Sequence, residues 1–128
     1  MIILDKPLLT FGESELEIMK AVWKAKAALS ASQIGEMVKE RGWKRTTVAT
    51  FLARLVEKGA LKSEKIGKAL HYTALVSAKE YRRAQVKMLL KNVFDGSAQA
   101  LIASLFEEKS LTDKELQELQ AILKDKEG

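Results

Sequence analysis

The chain has 128 residues, of which 47% are hydrophobic and 30% charged, a balance typical of one globular domain or two small ones. It contains no cysteine, which excludes a disulfide framework and a thiolate metal site and fits a reducing cytoplasm. No apolar run approaches the length of a membrane span, so the sequence predicts neither a membrane segment nor a membrane partner.

The positive charge is concentrated in the first part of the chain. The net charge is +5; residues 1–76 carry 13 Lys/Arg against 8 Asp/Glu, whereas residues 77–128 carry 9 of each. Within residues 39–68 the count is 9 against 3. A basic solubilising surface does not explain this segregation, which predicts a polyanion-binding half and a neutral half with another role.

The first two helices are predicted from apolar spacing and capping signals. After a lead-in over residues 1–9, Thr10 with Glu13, or alternatively Ser14, caps a helix that ends near Lys26. The apolar residues that recur along it at helical spacing are Leu16, Met19, Val22 and Trp23. A short connector, 27–30, contains a brief strand or none. Ser30 with Gln33 then caps a second helix, which stops near Gly42.

A third helix of roughly 13 residues is predicted within residues 43–61. One side of this helix is apolar, and it consists of Val48, Phe51, Leu52, Leu55 and Val56. The other side carries hydroxyls and cations: Thr47, Thr50, Arg54 and Lys58. Lys44 and Arg45 stand at its start, where cations oppose the helix dipole but where a phosphate would be favoured.

A hairpin and three more helices follow. Segments 61–66 and 69–75 flank Gly67-Lys68, which predicts a hairpin whose second strand has Leu70, Tyr72 and Ala74 on one face. Ser77 with Glu80 opens a fourth helix that runs to about Asn92. Asp95-Gly96 separates it from a fifth helix beginning at Ser97, and Thr112 with Glu115 caps a sixth.

This order predicts a mainly α fold with a minor β part. Residues 1–76 are predicted to form a winged helix-turn-helix DNA-binding domain, and residues 77–128 are predicted to form a three-helix dimerisation domain. In a winged helix the third helix enters the major groove and the hairpin touches the neighbouring backbone. Arg54 could then read guanine or clamp a phosphate. The predicted DNA-binding residues are Lys44, Arg45, Thr46, Thr47, Thr50, Arg54, Lys58, Lys65 and Lys68, with Lys62 also on the hairpin.

The last three helices are too small to bury much apolar surface alone, which suggests association with a second copy. The alternative is that they pack back onto the winged helix in a monomer. The predicted dimerisation residues are Met88, Leu89, Leu101, Ile102, Leu105, Phe106, Leu119 and Ile122. A two-fold dimer would recognise a palindromic DNA site.

Other functions are less well supported by the residues. His71 is the only histidine and is expected to pack or hydrogen-bond on the hairpin, so no metal site is predicted. The sequence contains no catalytic or phosphate-loop motif and predicts neither an enzyme nor a cofactor. Two rivals to operator binding stay open: a winged-helix protein-interaction module, and a non-specific DNA-coating protein.

Three motifs resemble the penicillinase repressor family of winged-helix repressors (BlaI/MecI/CopY type). The segment 15–23, ELEIMKAVW, resembles the family pattern E-x-x-[IV]-M-x-x-x-W. The segment 47–59, TVATFLARLVEKG, resembles T-[VI]-x-T-x-[LI]-x-R-L-x-x-K-G, and 67–72, GKALHY, resembles G-R-x-x-x-Y. The resemblance implies a cytoplasmic homodimeric transcriptional repressor that binds a palindromic operator, often of TACA/TGTA type.

The resemblance carries residue roles only where the motifs match. It implies DNA contacts from Thr47, Thr50 and Arg54. Family members often have Lys where this chain has Thr46 and Gln where it has Ala49, which leaves the operator preference open at those points. Some members are released from DNA by cleavage at an Asn-Phe bond in the fifth helix; the matching pair here is Ser104-Leu105, so that bond is not preserved. Others sense copper through C-terminal cysteines, which this chain lacks, so the inducing signal stays open.

Overall fold

The computed structural model describes residues 10–107 and 111–127, with side chains as far as Ile122. The predicted lead-in over residues 1–9 lies outside these ranges. The helices are α1 (Glu13–Ala25), α2 (Ala31–Met37), α3 (Arg45–Glu57), α4 (Ala78–Asn92), α5 (Ala98–Glu107) and α6 (Asp113–Glu127). The strands are β1 (Leu29–Ser30), β2 (Leu61–Ile66) and β3 (Ala69–Ala74), and a single 3-10 turn covers Lys39–Arg41.

The element order confirms the predicted winged helix. Helices α1 to α3 precede the β2–β3 hairpin, and β1 joins the hairpin to form an antiparallel sheet of order β1-β3-β2. Leu29 of β1 lies opposite Tyr72, and the hairpin register runs from Leu61 opposite Ala74 to Ile66 opposite Ala69. Gly67 has a φ of 67°, which lets the two-residue turn close without steric strain.

The start of α1 differs from the prediction. Gly12, rather than Thr10 or Ser14, is the N-cap, and its backbone N–H donates to the Glu15 carboxylate at 3.0 Å. Glycine has no side chain that could accept a hydrogen bond, so only the carboxylate half of the capping arrangement is formed. The predicted Ser30–Gln33 cap of α2 is confirmed, with Ser30 Oγ accepting from the Gln33 N–H at 3.1 Å.

The core of the winged helix lies between the apolar faces of α1, α2 and α3 and one side of the sheet. Its largest fully buried side chains are Ile18, Met19, Ile34, Leu52, Leu55, Leu61 and Val76. On β3, Tyr72 is buried but Leu70 is 49% exposed, because the hairpin extends past the helices before it reaches its turn. The shared face predicted for this strand is therefore buried only at its inner end.

The last three helices begin where they were predicted to begin. Ser77 and Glu80 exchange backbone-to-side-chain hydrogen bonds of 2.8 and 3.0 Å at the start of α4. Thr112 and Glu115 do the same at the start of α6, at 2.9 and 3.1 Å. The boundary between two compact units falls inside α4, between Val86 and Lys87. Among the residues described, no helix has the length and apolar composition needed to cross a membrane.

Candidate nucleic-acid interface

Helix α3 has one buried side and one exposed side, as its sequence predicts. Val48, Leu52 and Leu55 are buried in the core, and Phe51 and Val56 are half-buried beside them. This packing fixes the rotation of the helix about its axis. Thr50 and Arg54 therefore lie exposed on the outer face, and Thr47 is half-buried at its edge.

The N-terminus of α3 has no side-chain capping hydrogen bond and is positively charged. Lys44 is the N-cap and makes no side-chain capping hydrogen bond, and the first turn contains no acidic residue. The side chains of Lys44, Arg45 and Thr46 are exposed. Free backbone N–H groups beside two cations favour an anion there, since the helix dipole and both charges act in the same direction.

The exposed Thr50 of α3 uses part of its hydrogen-bonding capacity within the helix. The hydroxyl of Thr50 donates to the backbone carbonyl of Thr46 at 2.9 Å, so its proton is already used within the helix. Its oxygen can still accept a hydrogen bond, and its methyl group is free for an apolar contact. In this conformation Thr50 is therefore available to a ligand as an acceptor and through its methyl group.

The hairpin carries a second set of exposed cations. Lys62 and Lys65 lie on β2, and Lys68 lies in the turn next to Gly67; all three are exposed. The imidazole Nδ1 of His71 lies 3.1 Å from the backbone oxygen of Ala69, which confirms the expectation that it hydrogen-bonds locally. The hairpin therefore presents cationic side chains suited to phosphate contacts.

Arg41 ties the segment before α3 to α1, a contact that sequence reasoning missed. Its guanidinium lies 3.1 Å from a Glu13 oxygen and 3.7 Å from a Glu17 oxygen. It also lies 4.9 Å from the ring centroid of Trp43, which in turn packs edge-on against Phe51 at 5.0 Å. These contacts hold the segment that precedes α3 in a fixed position next to α1.

Lys58 follows the last residue of α3 and points to α1. Its ammonium donates to the Glu15 carboxylate and, at 3.0 Å, to the backbone carbonyl of Thr10. Burial would raise the pKa of Glu15, but hydrogen bonds from Lys58 and Gly12 and the charges of Lys58 and Arg54 lower the pKa below its ordinary value. Lys58 was predicted to contact DNA; in this conformation it holds the end of α3 against the start of α1.

We expect Glu15→Gln to lower the free energy of unfolding at pH 7 by about 1–3 kcal/mol, since it removes charged hydrogen bonds to Lys58 and Gly12. The folded-state pKa of Glu15 lies below 4.5, so its contribution is present above that pH and is lost as the pH falls through the folded-state value. Urea unfolding of both proteins at pH 7 and at decreasing pH measures the difference. Glu13→Gln, at an exposed position, is the control and should cost about 0–1 kcal/mol. An equal loss for both variants would contradict this role of Glu15.

The predicted dimerisation residues lie on α4, α5 and α6, in the unit that follows Val86. Between Lys87 and Ile122, none of the described side chains is fully buried. Leu89, Ile102, Phe106 and Ile122 are exposed, with Ile122 at 57%, while Met88, Leu101, Leu105 and Leu119 are half-buried. This unit thus exposes large apolar side chains of the kind that interfaces cover.

The fold and the basic face of α3 define a winged-helix protein of the DNA-binding type. The chain belongs to the penicillinase repressor family, whose model, described as Penicillinase repressor, matches residues 11–125. This confirms the family predicted from the three motifs. The match begins at Phe11, so it includes both compact units and not the winged helix alone.

Individual relatives resemble the chain over most of its length. It is 29% identical over 120 residues to the penicillinase repressor of Bacillus licheniformis, covering 94% of each chain. It is 28% identical over 123 residues to the methicillin resistance regulatory protein MecI of Mammaliicoccus sciuri, covering 96% of this chain and all of the relative.

A solved structure matches the winged helix. It is the solution structure of monomeric Bacillus licheniformis BlaI in complex with the blaP half-operator, with a TM-score of 0.50 and 30% sequence identity. The match covers 57% of this chain and 89% of that chain.

Proposed function

We propose that the protein is a transcriptional repressor that binds a palindromic operator as a homodimer and blocks promoter access in the cytoplasm. The observation that carries this proposal is the outer face of α3. It places Thr47, Thr50 and Arg54 beside an uncapped, cationic helix start. A major groove admits one helix, so this face would carry the readout of the bases.

The contacts divide by chemistry. Thr47, Thr50 and Arg54 would face base edges, with the Thr50 methyl against a thymine methyl and Arg54 on guanine or a phosphate. Phosphate contacts are assigned to Lys44, Arg45, Thr46, Lys62, Lys65 and Lys68. Lys58 is assigned to holding α3 in place through Glu15, because that carboxylate already accepts from its ammonium. The half-operator complex of the BlaI relative supports a mode in which one winged helix occupies one half-site.

Dimerisation is assigned to the unit after Val86. Its exposed Leu89, Ile102 and Phe106 would be covered by the same residues of a second copy, as a two-fold interface requires. Release from DNA by a regulatory protease would need a bond other than the family's Asn-Phe pair, which this chain does not have at the matching position. Ser104-Leu105, the bond that corresponds to the family's cleavage site, lies inside α5, and both side chains are half-buried.

The proposal is tested by selecting genomic duplex fragments with the purified protein and footprinting the enriched sequence. A symmetric footprint beside a promoter is the expected result. No enrichment over random fragments would reject operator recognition. The dependence of duplex affinity on salt concentration separates the remaining rivals. Binding through phosphate contacts weakens steeply as salt rises, because those contacts release counterions. A protein-interaction module would show no salt-dependent binding to duplex. Equal affinity for operator and random duplex would indicate a non-specific coating protein.

We expect Arg54→Ala to weaken operator binding by about 1–3 kcal/mol if Arg54 reads a base. Random-duplex binding should then change little, and fluorescence anisotropy on both duplexes measures the two effects. Arg83→Ala is the matched control, since Arg83 is an exposed arginine on α4, outside the proposed interface. An equal loss on operator and random duplex would make Arg54 a phosphate contact, and no loss on either would remove it from the interface.

A further inference from the structure

Arg41 ends the 3-10 turn between α2 and α3, and its side chain reaches two carboxylates of α1. One guanidinium nitrogen, Nη2, lies 3.1 Å from a Glu13 oxygen, and the other, Nη1, lies 3.7 Å from a Glu17 oxygen. Gly42 follows directly with a φ of 70° and turns the chain toward α3. The planar fork of an arginine suits two acids that lie one helical turn apart, whereas the point charge of a lysine does not.

The same guanidinium lies against Trp43, which connects it to α3. The Arg41 Cζ is 4.9 Å from the ring centroid of Trp43. The Trp43 ring packs edge-on against Phe51 of α3, with a centroid separation of 5.0 Å and an interplanar angle of 69°. A continuous set of contacts therefore runs from α1 through Arg41 and Trp43 to α3. We call Glu13, Glu17, Arg41 and Trp43 the turn clamp.

Among the described residues, the two cations that follow the turn clamp form no ion pair. These cations are Lys44 and Arg45, at the start of α3. Lys39, earlier in the turn, is paired with Glu36 at 2.9 Å. Trp43 and Arg45 line one groove between α2 and α3, so the ring of the clamp lies beside one of the two unpaired cations. The charges before Trp43 are used within the protein, and those after it are available to phosphates.

The position of these two cations matters for sequence recognition. Phosphate contacts fix the register of a protein on a duplex, and base contacts read the sequence from that register. The placement of Lys44 and Arg45 relative to Thr47 and Thr50 therefore decides whether both kinds of contact form on the same half-site. Non-specific binding is less demanding, because it follows the number of phosphates that are neutralised.

We propose that the turn clamp sets the preference of α3 for operator over random duplex, with Arg41 as the positioning residue. This inference rests on the proposed binding of α3 to an operator. Arg41 makes no contact with DNA in this scheme, since its guanidinium is held by the two acids of α1. It acts by holding the chain that enters α3, so its loss lowers sequence preference and leaves the charge-driven part of binding in place.

The test uses the full chain and measures affinity by fluorescence anisotropy on the selected operator and on a random duplex of the same length. Arg41→Lys keeps the net charge but loses the stacked, forked guanidinium. It should lower the ratio of operator to random affinity by about fivefold, the size of one exposed ion pair together with one cation–π contact. Random-duplex affinity should change by less than about twofold, because the charge is kept. Arg83→Lys makes the same change at an exposed arginine of α4 and is the matched control, expected to leave both affinities unchanged.

Variants at the other ends of the turn clamp distinguish positioning from charge. Trp43→Leu should lower the ratio as Arg41→Lys does, whereas Trp43→Phe keeps an aromatic face and should retain the wild-type ratio within about twofold. The double variant Glu13→Gln/Glu17→Gln removes two negative charges and should raise affinity for both duplexes. It should nevertheless lower their ratio, because Arg41 is then no longer held.

The outcomes separate the inference from the function beneath it. A folded Arg41→Lys protein with the wild-type ratio would overturn the inference alone. An equal loss on both duplexes would also overturn it, since that result describes a smaller fraction of folded protein. Circular dichroism shows which variants fold; if Arg41→Lys does not, Trp43→Leu and the double glutamate variant are judged by the same criterion. A wild-type protein with equal affinity for both duplexes would reject both the proposed function and the inference.

Discussion

A fragment ending at Val86 is expected to bind a two-half-site operator about 10²–10⁴-fold more weakly than the full chain, because it loses the avidity of a linked pair. The fragment keeps Tyr81 and Ala84, which are buried in the winged-helix core, and lacks the apolar residues assigned to the dimer. It should therefore fold, sediment as a monomer and bind a single half-site as the full chain does. Anisotropy titrations on both duplexes and analytical ultracentrifugation measure these three properties.

A second fragment, ending at residue 76, is the control for where the domain ends. The predicted domain boundary lies there, but such a fragment lacks Tyr81 and leaves Phe11 and Trp23 without their aromatic partner. We expect it to be less stable than the fragment ending at Val86. If either fragment is dimeric or keeps full operator affinity, that result would contradict the assignment of dimerisation to the second unit.

The features predicted well from the sequence are those determined by neighbouring residues. The Ser77–Glu80 and Thr112–Glu115 caps join residues three positions apart, so their pattern is visible in the sequence itself. The apolar stripe of α3 follows from helical periodicity in the same way. Gly67 marks the hairpin turn because few other residues adopt a positive φ there.

The contacts that were missed join residues far apart in the chain. Lys58 lies 43 positions from Glu15, and Arg41 lies 28 positions from Glu13. No local periodicity links such pairs, since they meet only when α1 packs beside α3. Glu15 resembles an ordinary solvent-facing acid in the sequence. Its side chain is in fact largely buried, and it serves both as the partner of the Gly12 N–H and as the partner of Lys58.

The sequence predicts which face of α3 each candidate residue occupies, but not which of its polar groups are already paired. Periodicity places Thr47, Thr50 and Arg54 on one face of α3, and the structure agrees. It cannot say that the Thr50 proton is already donated to Thr46, or that Lys58 is paired with an acid of another helix. Those facts depend on side-chain conformation and tertiary packing, and they decide which groups remain free to meet a ligand.

We expect Leu52→Ala to lower the free energy of unfolding by about 2–5 kcal/mol. Leu52 is fully buried, so truncation removes apolar contacts and leaves a cavity under α3. The lost packing lies beneath α3, the helix that carries Thr50 and Arg54. The apolar stripe that holds this helix in the core also fixes the orientation of its outer face. Urea unfolding of the full chain measures the effect at one fixed protein concentration, since the apparent stability of a dimer depends on concentration.

Leu70→Ala is the matched control for this prediction, since it makes the same chemical change at a side chain that is 49% exposed. Its expected cost is about 0.5 kcal/mol or less, because little apolar area is lost and no cavity forms. Similar losses at both positions would mean that the hairpin is covered by something in solution, such as a second copy. A small loss at Leu52 would mean that the core collapses around the truncated side chain. The difference between the two variants in free energy of unfolding thus measures how strongly packing beneath α3 holds the outer face of that helix. The proposed recognition of DNA depends on that face.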